Sequence, residues 1–91
     1  FRADRKMIKV VLNDILYIER LKDYINIVTT KGEIITKQSI SSVGEMLPAD
    51  KFVRIHRSFI IALNRIESYS STDIAIGKTE LPIGPLYKHE I

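Results

Sequence analysis

The 91-residue sequence contains no cysteine, which excludes a disulfide framework, a zinc ribbon and a thiol nucleophile together. Their absence fits a reducing cytoplasm, the expected location. Long apolar runs are missing too. The longest, Phe59 to Leu63, spans five residues, far short of the roughly 18 a membrane helix needs. No basic stretch followed by an apolar one opens the chain, so nothing reads as a signal peptide. The four glycines are scattered and none forms a phosphate-cradling loop ahead of a helix. Only two histidines occur, His56 and His89, with no second ligand at metal spacing. Neither a metal nor a cofactor is expected.

What is there describes a small globular domain spanning 1–91. The chain is 45% hydrophobic and 27% charged, too aliphatic for disorder. Fourteen Lys and Arg oppose eleven Asp and Glu, a net charge of +3. That is a mild bias toward anionic partners. A domain of this size buries only about 60 to 65% of its unfolded surface, so function is expected on a surface rather than in a deep cavity. The chain opens on Phe1-Arg2-Ala3-Asp4, without an initiator Met, as expected of a domain cut from a longer protein.

The apolar pattern predicts a mostly β fold: short antiparallel strands in small sheets, with one short helix between them. Met7 to Val11 and Ile15 to Ile18 read as strands separated by the turn signal Asn13-Asp14. Tyr24 to Thr30 is rich in the residues that favour pleated surfaces. Lys31-Gly32 then suggests a two-residue hairpin, with Val28 facing Ile35 and Ile27 facing Thr36. Between Ser39 and Leu47 the apolar residues Ile40, Val43 and Leu47 form a helical stripe. Either Ser39 or Ser42 could cap its start, and Pro48 ends it. Strands resume from Phe52, through Phe59 to Leu63 and Ile66 to Tyr69. A final hairpin is predicted from Ile74 to Lys78 and Glu80 to Ile83.

Two polar clusters stand out. Arg54-Ile55-His56-Arg57-Ser58 is clamped between apolar segments, a context that predicts a fixed backbone with outward side chains. Arginine grips a phosphate or the O6 and N7 of guanine with two parallel bonds, and serine is a common phosphate contact. The bland alternative is a solvated loop whose arginines pair with Glu45 or Asp50. The second cluster runs from Arg20 to Asn26. There Lys22 could neutralise a phosphate, while Tyr24 and Asn26 could make polar contacts. Here too a bland alternative exists, in which Tyr24 is a half-buried strand aromatic. Arg2, Arg5, Lys6 and Lys9 could extend a charged face. His56 and Ser58 would sit side by side on an extended stretch, but no carboxylate orients them. No catalytic residue is assigned, and the chain does not read as an enzyme.

Taken together, these segments resemble the LytTR family, the mostly β DNA-binding domain of many bacterial response regulators. The resemblance rests on Asp14-Ile15-Leu16-Tyr17-Ile18-Glu19, then Lys22-Asp23-Tyr24 with Ile27, Thr29 and Gly32. It continues through Leu47-Pro48 and the specific stretch Phe52-Val53-Arg54-Ile55-His56-Arg57-Ser58-Phe59-Ile60. Leu81-Pro82-Ile83-Gly84 and Tyr87-Lys88 complete it. It implies that loops, not a recognition helix, enter successive major grooves of duplex promoter DNA with paired repeats, two protomers per site. It also implies an N-terminal receiver domain in the full-length chain and a role in two-component transcription control.

Carried over by position, base reading falls to Lys22, Asp23 and Tyr24 and to His56-Arg57-Ser58. Arg57 would read bases, while Arg54 and Ser58 would hold phosphate. In the third segment this sequence departs from the family. Gly84 and Pro85 stand where many relatives place Arg or another polar residue, so only Lys88, with Tyr87, is assigned to the DNA backbone there. Ala62 likewise stands where relatives often carry Asn. Two other functions remain open. One is a protein-interaction or dimerisation module using apolar runs and strand edges. The other is RNA binding, which would favour several exposed aromatics.

Overall fold

Isoleucine and valine recur along the chain, and their branched side chains pack well on a pleated surface. Strand is accordingly the commonest element among the described residues. The computed structural model describes residues 2–3, 6–7 and 11–90, with side chains described from 11 to 87. β1 (Arg2–Ala3) and β2 (Lys6–Met7) form a short antiparallel ladder. A 3-10 turn (Leu12–Asp14) leads into β3 (Ile15–Leu21), β4 (Tyr24–Thr29) and β5 (Gly32–Thr36). The helix α1 (Ile40–Met46) precedes β6 (Phe52–His56) and β7 (Phe59–Ala62). A second 3-10 turn (Leu63–Arg65) is followed by β8 (Ser68–Tyr69), β9 (Asp73–Ile76) and β10 (Thr79–Pro82). A 3-10 helix (Pro85–Glu90) comes last.

All pairings are antiparallel. β5-β4-β3-β7-β6 make a five-stranded sheet and β10-β9-β8 a three-stranded one. The larger sheet is buried on both faces at its centre. On one face Ile18, Ile27 and Ile60 pack with Ile40 and Val43 of α1. On the other, Ile55 and Ile61 pack with Ile74, Ile76 and Leu81 of the smaller sheet. Ile60 and Ile61 are neighbours in sequence yet enter opposite cores, as a two-residue period requires. Ile15 and Ile18 break that period but share one core, because the register shifts between Ile15 and Tyr17.

The helix starts where Ser39 caps it. Its Oγ accepts the Ser42 backbone N–H at 3.1 Å, so of the two candidate caps Ser39 is the one used. Leu47 is already extended, as the residue before Pro48 is biased to be.

Several expected boundaries shift. The β4–β5 turn falls at Thr30-Lys31, and Ile27 faces Ile34 rather than Thr36. Thr29 sets this register, its Oγ1 donating to the Gly32 carbonyl and accepting from the Lys31 N–H. Gly32 pairs with Thr29 and so begins the strand instead of forming the turn, with a φ of +132° that glycine tolerates. A two-residue slip keeps every side chain on its expected face. Gly77-Lys78, expected inside a strand, is the β9–β10 turn, with Gly77 at φ +62°. Of the strand expected from Met7 to Val11, residues 8–10 lie outside the described part. So do the side chains of Arg2, Arg5, Lys6 and Lys9.

Candidate nucleic-acid interface

Both predicted clusters are hairpin turns. Leu21 pairs with Tyr24, leaving Lys22-Asp23 as a two-residue link between β3 and β4. Lys22 has a φ of 21°, the one positive φ at a non-glycine among the described residues. Backbone in this region is strained for a residue with a Cβ. Lys22, Asp23 and Tyr24 are all exposed, Tyr24 to 46%.

The β6–β7 link is Arg57-Ser58, since His56 pairs with Phe59. A register shift between Arg54 and His56 accompanies it, leaving Ile55 fully buried in the second core. The side chains of this cluster do not all point outward as expected. Arg54 is folded onto the turn, its Nε donating to the His56 carbonyl (2.9 Å) and one terminal nitrogen to the Arg57 carbonyl (2.6 Å). The other terminal nitrogen lies 3.4 Å from Ser41 Oγ. His56 and Ser58 are not an extended pair, because Ser58 donates its backbone N–H to His56 Nδ1 at 3.0 Å. The His56 ring leans on Phe59, with centroids 5.5 Å apart. Only Arg57 is exposed in this cluster, and Arg54, His56 and Ser58 are half-buried.

The two turns meet because β3 lies between β4 and β7 in the sheet, and the Arg20 N–H donates to the Ser58 carbonyl at 2.8 Å. Beside them opens a groove of about 740 Å³. Arg20, Lys22, Lys37, Arg54 and Arg57 line it against one carboxylate, Asp23. The alternative pairing of the arginines with Glu45 or Asp50 is not found among the described residues. Among the described residues the single ion pair is Lys31–Asp14 at 3.6 Å, remote from this groove. Five cations thus face one opening with a single carboxylate among them, a built-in demand for an anionic partner.

Sequence reasoning missed part of the lining. Lys37, Ser39 and Ser41 enter the groove from the end of β5 and the start of α1. Only the strand pairing reveals this, since Thr36 opposite Ile25 sets Lys37 beside Tyr24. Asn26, read as a polar contact, is instead buried and donates to Glu33 at 2.7 Å. The side chain of Lys88 lies outside the described residues.

This fold has relatives. Residues 5–91 match the LytTr DNA-binding domain. The chain belongs to the LytTR family. A transcriptional regulatory protein, NatR of Bacillus subtilis (strain 168), is 40% identical over 58 residues, which cover 64% of this chain and 25% of that protein. The sensory transduction protein LytT of Bacillus anthracis is 26% identical over 94 residues, covering 97% of this chain and 38% of that protein. The LytTR domain therefore spans well under half the length of either relative. A solved LytTr DNA-binding domain from Bacillus cereus superposes with a TM-score of 0.83 at 23% identity, covering 97% of this chain and 86% of that one. That likeness concerns the fold. A LytTR domain is defined by binding DNA rather than by a reaction.

Proposed function

We propose that this LytTR domain reads duplex DNA in the major groove with its two hairpin turns. The carrying observation is the groove where Lys22, Lys37, Arg20, Arg54 and Arg57 converge with one carboxylate among them. Each turn is two residues long and held by the centre of the sheet, so its side chains project from a fixed frame into the bases. Arg57, exposed at the tip, makes the bidentate contact to guanine. Lys22, Arg20 and Lys37 meet phosphates, and Tyr24, Asp23 and Ser58 complete the contact. His56 supports the turn from behind. Lys88 extends the contact from the last segment. Two domains on paired repeats would bind one promoter, and the domain would serve as the output of a two-component regulator whose receiver precedes it in a longer cytoplasmic chain. The relatives in transcription and sensory transduction support that setting.

Selection from a random duplex pool tests the reading. The expected product is a motif repeated at a fixed spacing. Arg57→Ala should weaken binding to that motif by about 1 to 3 kcal/mol and relax one or two positions within it. Recovery of no motif by the wild-type domain refutes the proposal.

A further inference from the structure

The Gly84-Pro85 departure acquires a purpose from its surroundings. The Gly84 N–H donates to the Ile55 carbonyl at 2.7 Å, and the Tyr87 N–H to the Gly84 carbonyl at 2.9 Å. A Cβ at residue 84 would lie 3.0 Å from Tyr87 Cδ2, 3.4 Å from His56 Cδ2 and 3.5 Å from His56 Cα. Glycine here lets the backbone lie flat against the base of the β6–β7 turn. That contact brings Tyr87 beneath Arg54, whose guanidinium carbon is 5.8 Å from the ring centroid, within cation–π range.

Arg54 in turn holds both peptide groups that flank the Arg57 Cα. Its Nε bonds the carbonyl before that atom and a terminal nitrogen the carbonyl after it. The second of these peptides is also held through its N–H, which Ser58 donates to His56 Nδ1. Two flanking peptide planes determine the φ and ψ between them. We infer that Arg54 is a positioning residue, clasped onto the turn by Tyr87 and Gly84, which fixes the direction in which Arg57 reaches a base. Its donors are turned inward onto the chain rather than outward to a phosphate, and residues 84–87 act as a buttress. The inference rests on the DNA-reading function proposed above and assigns a part within it.

Lysine keeps the charge of Arg54 but lacks the planar fork that spans two carbonyls. Binding of the selected duplex and of a scrambled duplex is measured by fluorescence anisotropy at several salt concentrations. A wild-type domain that does not prefer the selected duplex overturns the DNA reading and this inference with it. Where wild type discriminates, Arg54→Lys should lose about tenfold on the selected duplex. Its affinity for the scrambled duplex and its salt slope should stay unchanged. Gly84→Ala, which keeps every charge and leaves the clasp residue in place, should show the same signature. In an Arg57→Ala background, Arg54→Lys should have no further effect on discrimination, because the two act as one unit. Three results overturn the inference: full discrimination by Arg54→Lys or Gly84→Ala; equal weakening on both duplexes with a slope about 0.9 smaller for Arg54→Ala, the mark of a phosphate contact; or additive losses in the double variant.

Discussion

Lys22 carries a local strain that the fold itself does not require. Glycine would adopt its φ of 21° without penalty, yet a long cation stands there, at the edge of the basic groove. A strained residue held in place by its surroundings is a common mark of a functional position. The two demands can be separated. Lys22→Gly should raise stability by about 0.5 to 1 kcal/mol, read as a higher midpoint in urea. The same change should lower duplex affinity and reduce the salt slope by about 0.9, the value of one phosphate contact. Lower stability in Lys22→Gly would show that the strain is not real. Arg57 presents the opposite case, an exposed side chain on a turn whose backbone is bonded on both sides. Its loss should leave stability nearly unchanged while relaxing discrimination at the one or two positions it reads.

At the scale of elements, the fold was largely legible because its signals are local. Strand runs, the Ser39 cap and the Pro48 stop each act within a few residues, and their chemistry is visible in the sequence. Ser39→Ala should therefore cost about 1 kcal/mol, measured by thermal unfolding, since its Oγ holds the Ser42 N–H. The site was legible only in part. Lys22 and Arg57 lie in recognisable clusters, but Lys37 belongs to no motif and joins them through strand pairing. The partners of Arg54 and Asn26 were hidden from the sequence for a related reason. A polar side chain in a cluster looks available until its partners are known. Here those partners are turn carbonyls for Arg54 and the cross-strand Glu33 for Asn26. The hairpin at Thr30-Lys31 slipped because a threonine hydroxyl, not the glycine, decides it.

At the scale of the molecule, +3 is a weak total made strong by placement. Five cations and one carboxylate on one groove leave the rest of the chain close to neutral. With Arg20, Lys22 and Lys37 on phosphates, affinity should fall by about 40-fold between 50 and 200 mM salt. Anisotropy titrations at four salt concentrations read this slope directly. A flat dependence would instead favour a protein-interaction module, whose apolar contacts ions do not screen.

The central strands β3 and β7 bury side chains in both cores, whereas the links at their ends, Lys22-Asp23 and Arg57-Ser58, contribute none to either. Under the proposed reading, the recognising residues of these two turns and the residues that form the cores are thus separate sets. The letters at those four positions can be rewritten without disturbing the grammar of the scaffold. One frame of this kind can serve many promoters, each addressed by its own short spelling.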